Sequence, residues 1–404
     1  MEDDVAKKRH LVKKIFDAAS KEGIYSSSIH EFYMARGRGE FAGFTVPAIN
    51  LRSMTYDLAR AIFRVANKND SGAFVFEIAR SEIGYTDQPP IEFAGMVMAA
   101  ALKEDYSGPV FIQGDHFQVN AAKFKANPHV EIENLQALIF DAVSSGFFNI
   151  DIDSSTLVDL SKPTLKEQQL LNYDVCQKLT QFIRLREPKG ITISVGGEIG
   201  EIGHQNSTPE DLDVFMNGLE DKMGKDWVGI SKISVQTGTT HGGVVLPDGS
   251  IAQINLDFNT LKTLSKIARE KYGLAGAVQH GASTLPAEAF HKFVECEVAE
   301  VHLATEFQNM IYESKHFPTD LKKKIYAWLN VNAKSEAKQG ETEDQFLYKT
   351  RKKALGPFKK EIMSLPQETR DAIAAEIELK FDFLFKQLNI VNKKDLLNKY
   401  VHVS

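Results

Sequence analysis

Apolar positions along the chain follow two periods in turn. Short segments rich in β-branched and aromatic residues recur, and each is followed by a longer stretch with apolar residues three and four apart. The strand-like segments are FTVPAIN (44–50), GAFVFEIA (72–79), PVFIQGDH (109–116), FFNIDIDS (147–154), GITISVGGEIG (190–200), ISKISVQTG (230–238), GAVQHGAS (276–283) and EVHLATEF (300–307). Between them lie helix-like stretches such as TYDLARAIFRVANK, VEIENLQALIFDAVSSG and TLKTLSKIAREKYG, several opening on Thr, Asp or Pro and several closing at Gly. Strand alternating with helix predicts parallel pairing through right-handed crossovers, and eight such units predict an α/β fold, a closed (β/α)₈ TIM barrel. An open doubly wound sheet is the runner-up; no GxGxxG or GxxxxGK[ST] follows the first strand, which weighs against it. The charged stretch MEDDVAKKRHLVKKIF predicts a leading N-terminal helix. Beyond residue 310 the pattern is helical and Lys-rich, strongest in LPQETRDAIAAEIELKFDFLFKQL. The expected division is therefore a barrel with its leading helix over 1–310 and a C-terminal helical extension, packed on it, over 311–404.

Composition narrows the function classes. With 404 residues, 43% of them hydrophobic, the chain can bury a full core. Its formal charge of −6 is small and its basic residues are dispersed, so neither a nucleic-acid footprint nor a polybasic membrane patch is expected. Cys176 and Cys296 both lie in helix-like stretches, as reduced core thiols would, and point to a reducing cytosol. The N-terminus has no apolar signal-like core, and no apolar run approaches the length of about eighteen residues that spans a membrane; a soluble, unexported, cytoplasmic protein is expected.

In a barrel of this type, chemistry collects at the C-terminal ends of the strands. The unusual residues sit there: Asp115 and His116 end the third segment, Asp151 and Asp153 the fourth and Glu198 the fifth, while His241 follows the sixth and His280 ends the seventh. A lone His at a strand end is usually a hydrogen-bonded loop residue, but three converging imidazoles with carboxylates beside them fit a catalytic zinc site with an open position. Asp151 and Asp153 alternate on one strand, so they share a face, and one of them has a structural reading as a cap or salt-bridge partner. Similarly, the glycines of GGEIGEIGH have a plain reading as a tight loop that leaves Glu198 and Glu201 solvated.

In order, GDH, IDSS, GGEIGEIG, TGTTHGG and HGAST followed by LP resemble the landmarks of the class II, zinc-dependent fructose-bisphosphate and tagatose-bisphosphate aldolases, with VPAIN similar to that family's first strand. The resemblance covers about residues 40–310. It implies that His116, His241 and His280 hold Zn²⁺ or another divalent metal. Asp115 would be the acid/base at the aldehyde oxygen, with Glu198 and Asp153 as further metal-site carboxylates and Glu198 sharing the catalytic work. The implied reaction makes or breaks a ketose C–C bond through a zinc-stabilised enediolate, with no Schiff-base lysine. Asn50, Gly242, Gly281, Ser283, Thr305 and Arg351 are expected to meet the substrate or its phosphate.

The chain departs from that family at its phosphate handles. Gly281-Ala282-Ser283-Thr284 has fewer glycines than the family loop, Val244 and Val245 stand where an aromatic and a lysine are common, and Ala79 stands for a serine. The family's Asn-x-Asp-Thr reads His302-Leu303-Ala304-Thr305, while Arg52 and Arg80 offer guanidinium groups for an anion. GDHFQVN also resembles the non-catalytic accessory subunit of tagatose-bisphosphate aldolase. Two alternatives to an aldolase therefore stand: a retro-aldol 4-epimerase of a ketose or ketouronate, and an accessory subunit. The expected partners are a small-molecule ketose phosphate or sugar acid and further copies of the chain in a homodimer or homotetramer.

Overall fold

The computed structural model describes residues 4–199, 205–238 and 256–401. These contain nine parallel strands: β1 (Ile24–Ser27), β2 (Val46–Asn50), β3 (Val75–Ala79), β4 (Gly108–Gln118), β5 (Asn149–Asp153), β6 (Ser194–Glu198), β7 (Lys232–Ser234), β8 (Ala277–Gln279) and β9 (Glu300–Leu303). From β2 to β9 each strand pairs with the next, and β9 returns to β2 with Val46 opposite Glu300, closing an eight-stranded barrel. Seven of the eight lie inside the segments that the apolar pattern marks, and β4 overruns its segment, 109–116, at both ends.

The region before residue 44 holds more than a leading helix. After the helix Val5–Lys21 come β1 and a second helix, His30–Gly37. β1 lies along the start of β4, with Ile24 opposite Gly108 and Ser27 opposite Phe111, just below the point where β4 meets β5. Asn149 locks that seam: its Oδ1 accepts from the Ile29 N–H, and its Nδ2 donates to the carbonyls of Ser27 and Ile112. At the N-terminal end of the barrel, the His30–Gly37 helix sends the Tyr33 hydroxyl up to Glu300 and the Arg36 guanidinium to the carbonyls of Phe44 and Val298.

Outside the strands, amphipathic helices cover the barrel. Helix Thr55–Lys68 buries Leu58, Ala61, Ile62 and Val65, spaced i, i+3, i+4 and i+7, so one stripe faces the strands. Each such Leu or Ile contributes roughly 1.5–3 kcal/mol on leaving water. The same helix carries the C-terminal segment on its other side: Arg370 donates to the buried Asp57 at 2.9 and 3.0 Å, Arg64 to Glu378 at 2.6 Å, and Asn69 to Asp382 at 2.7 Å. Arg370, Glu378 and Asp382 all belong to helix Gln367–Gln387. Cys176 and Cys296 are free thiols and buried. Among the described residues, no helix is long and apolar enough to cross a membrane.

Candidate active site

A regular strand would turn Asp115 and His116 to opposite faces. β4 avoids this with a bulge: against β5 the register passes from Gly114 opposite Ile150 to Phe117 opposite Ile152, so Asp115 and His116 together face one residue. His116 adopts φ 39°, the left-handed region that a side chain other than glycine's enters at a cost and that recurs at functional sites. Gly114 makes room for the distortion, since a Cβ there would lie 2.4 Å from the Phe117 ring. Both the acid and the imidazole thereby reach the C-terminal mouth.

His116 Nδ1 lies 3.1 Å from Asp153 Oδ2 and 3.3 Å from Glu198 Oε2, and its ring centroid is 4.2 Å from that of His280. Burial disfavours a charged His116, yet the carboxylates of Asp115, Glu198 and Asp153 outweigh it and hold the ring's pKa well above the ordinary value. Glu198 is pushed up to about 7, by burial first and by Asp153 second. Asp153 is buried as well, but bonds from His116, Ser155 and Gln118 keep it below the usual carboxylate range. The site thus attracts positive charge, whether a proton or a metal ion. Donor atoms of Asp115, His116 and His280 lie within 4.8 Å of one another, as do those of His116, Asp153 and Glu198. Imidazole nitrogen and carboxylate oxygen are the donors zinc takes, so these residues fit a divalent metal.

Below the mouth, the barrel interior is polar where aliphatic layers are usual. Lys232, on β7, donates to Gln113 at 2.8 Å, to Asp151 at 3.0 Å and to Glu300. Gln113 in turn donates to Glu77 at 3.1 Å and to Glu300 at 2.9 Å. A third imidazole, His302, lies beside His280 with centroids 4.1 Å apart and planes tilted by 50°; its Nε2 lies 2.7 Å from Glu300 Oε1, and its Nδ1 lies 3.0 Å from Glu77 Oε2 and 3.2 Å from Asp115 Oδ1. Burial and then Asp115 push Glu77 up to about 8. Glu300 is buried too, but Lys232 and His302 hold it well below the usual carboxylate range. Glycine is required at 196, where a Cβ would lie 2.3 Å from Asp151 Oδ1.

A cleft of about 580 Å³ opens above this layer, lined by Asn50, Asp115, His116, His280, Gly281, Ser283, His302 and Thr305 as well as by Arg52, Arg80, Lys123 and Lys352. Thr305 begins the helix Thr305–Glu313, whose N-terminal end faces the cleft beside Ser283 and Gly281. Arg52 donates to Glu82 at 2.7 Å and reaches Thr305 and Gln308 at 3.4 Å, while Arg80 is held by Glu131 at 2.5 Å and the Gln118 carbonyl at 2.6 Å.

The structure thus brings Asp115, His116, Asp153, Glu198 and His280 to one mouth. Asn50, Gly281, Ser283 and Thr305 lie on the cleft wall. His241 and Gly242, together with Glu201, lie outside the described residues. Arg351 is not among the cleft-lining residues: it is 2% exposed, and its guanidinium binds Glu313 at 2.5 Å and Asn309 at 2.6 Å, with Tyr348 and Tyr312 beneath it. Its neighbour Lys352 faces the cleft instead, with its ammonium 5.9 Å from the Tyr85 ring centroid. Sequence reasoning passed over Glu77, Gln113, Lys232 and Glu300, and named His302 only as a departure from the family's eighth-strand pattern. Their signal was there, as polar residues at alternate positions of strands that otherwise read as buried.

Comparison with known proteins bears on the whole chain. The family profile described as fructose-bisphosphate aldolase class-II matches residues 38–384. No curated protein sequence matches significantly. Among solved structures, a fructose-bisphosphate aldolase from Campylobacter jejuni is 18% identical with a TM-score of 0.54, the match covering 92% of this chain and 97% of that one. The YdjI aldolase from Escherichia coli K12 is 14% identical with a TM-score of 0.50, covering 90% and 98%. A Sinorhizobium meliloti structure named "a probable tagatose 6 phosphate kinase" is 15% identical with a TM-score of 0.57, covering 88% and 99%. At these identities the structural likeness establishes the barrel fold.

Proposed function

The chain belongs to the class-II fructose-bisphosphate aldolase family, and from that premise we propose that it is a divalent-metal-dependent aldolase cleaving and forming the C3–C4 bond of a phosphorylated ketose. The convergence of Asp115, His116 and His280 at one barrel mouth carries this reading. An accessory subunit has no need of that set.

His116 and His280 would hold the metal, with Glu198 and Asp153 around His116 and with His241 as the third imidazole the sequence suggests. When bound, zinc supplies Lewis acidity at the ketose carbonyl. Asp115, beside the ligand His116, takes the proton from the C4 hydroxyl as the C3–C4 bond breaks, so the aldehyde leaves with its C=O formed and the bonding pair stays on the C2–C3 unit. In condensation Asp115 returns that proton to the new hydroxyl. Glu198, at the opposite edge of His116, is the group suited to deliver a proton to C3 of the remaining fragment.

The phosphate next to the carbonyl is read by Gly281, Ser283, Thr305 and the helix end that Thr305 begins, where backbone N–H groups favour an anion. Arg52 and Lys352 face the distal end. Because Lys352 belongs to the C-terminal extension, residues 311–404 complete the cleft of the 1–310 barrel. The reading extends to a cytosolic homodimer or homotetramer.

The test is kcat/KM of the zinc-loaded protein with fructose 1,6-bisphosphate, tagatose 1,6-bisphosphate, the corresponding 1-phosphates, and unphosphorylated ketoses and ketouronates, assaying both triose and epimer products. Cleavage of a ketose phosphate is expected. Epimers without trioses would assign the epimerase, and no turnover of any of them would leave the accessory subunit.

A further inference from the structure

We propose that His302 is the positioning residue for Asp115, an inference resting on the aldolase reading above. Of the three imidazoles described near Asp115 Oδ1, that of His302 is the closest, with Nδ1 at 3.2 Å against 3.9 Å for both His116 and His280. The opposite edge of the ring is clamped from below, with Nε2 at 2.7 Å from Glu300 Oε1. Glu300 cannot yield, because Lys232, Gln113 and the Tyr33 hydroxyl all donate to it. His302 is 4% exposed and lines the cleft, so it joins a rigid floor to the side chain that moves the proton. Glu77 shares the Nδ1 edge at 3.0 Å and is itself bonded by Gln113. A carboxylate that must meet a substrate hydroxyl loses rate when it rotates away, and an imidazole edge held 3.2 Å from Oδ1 blocks that rotation.

The two edges of the ring can be tested separately. In His302→Asn the amide nitrogen takes the place of Nδ1 and the bond to Glu300 is lost. In His302→Gln the amide takes the place of Nε2 and the contact with Asp115 is lost. Positioning predicts that His302→Asn keeps kcat within about threefold of the parent, while His302→Gln loses roughly ten- to a hundredfold in kcat, the scale on which a misplaced reacting group costs rate. KM and metal content should be unchanged in both variants. In an Asp115→Asn background, His302→Gln should change kcat by less than about threefold, because two residues acting as one unit are not additive. Crystal structures of the two variants provide a readout independent of activity: the Asp115 rotamer should persist in His302→Asn and be lost in His302→Gln.

The reverse order of activities would assign the ring to Glu300 and overturn the proposal, as would full additivity with Asp115→Asn or an unmoved Asp115 in His302→Gln. If the parent protein turns over none of the ketoses, the aldolase reading fails, and the Asp115 rotamer still decides the positioning role.

Discussion

Replacing Lys232 with methionine keeps the aliphatic stem and removes the one ammonium in the described interior layer. Lys232 is 1% exposed and bonded to Gln113, Asp151 and Glu300, so the change takes the ammonium from the buried Glu300 and the partly buried Asp151 at once. Breaking a buried ion pair from one side costs about 3–5 kcal/mol. The molecule can limit that cost by protonating Glu300: lifting a carboxyl of ordinary pKa near 4.3 to the neutral form at pH 7.5 costs about 4 kcal/mol, within the same range. For 404 residues, at about 2.1 cal/mol/K per residue, the unfolding entropy is near 0.85 kcal/mol/K, so Tm should fall by about 4–6 °C. The pH dependence has a definite sign. In the parent, Glu300 is held below its unfolded pKa, so its contribution is present above that value and is lost as pH falls toward the folded pKa. In Lys232→Met, Glu300 keeps Gln113, the Tyr33 hydroxyl and His302 but loses the ammonium that chiefly opposed its burial, so its pKa rises and the cost of the substitution falls as pH falls. Because pH 5.5 still lies above the ordinary carboxylate pKa near 4.3, the parent keeps its contribution there, and protonation in the variant alone narrows the gap, to about 2 °C at pH 5.5. Differential scanning fluorimetry of both proteins at pH 7.5 and 5.5 measures it. A gap below about 1 °C at pH 7.5, or one that widens on acidification, would refute the charge-balance account of the layer.

Further outcomes follow from the mouth and its cleft. His116→Ala and His280→Ala should each lose most of the zinc that elemental analysis finds in the reconstituted parent; full retention by both would exclude them as ligands. Asp115→Ala should retain the metal and lose roughly 10²-fold or more in kcat, as removal of a general acid/base does, and a near-normal rate would pass the proton to Glu198. Lys352→Met should raise KM for a bisphosphate by about tenfold and leave the matching 1-phosphate unaffected, the loss of one charge-assisted contact. An equal effect on both substrates would move Lys352 away from the distal end.

What the sequence determined by itself was local. The two apolar periods located all eight barrel strands, because burial on both faces leaves a mark in every few residues. The order of GDH, IDSS, GGEIGEIG and HGAST placed Asp115, His116, Asp153, Glu198 and His280 at strand ends, because parallel strands bring those ends to one mouth. Only the tertiary structure decided how adjacent residues came to share a face: the bulge and the positive φ at His116 depend on β5 pairing across β4. The choice between Arg351 and Lys352 was equally non-local, since Glu313, Asn309 and two tyrosines from other helices claim the arginine and leave the lysine to the cleft. The interior layer of Glu77, Gln113, Lys232, Glu300 and His302 comes from four strands far apart in sequence. Each of its polar residues, taken alone, contradicts a buried strand, and the contradiction resolves only when the closed barrel sets charge against charge at bonding distance.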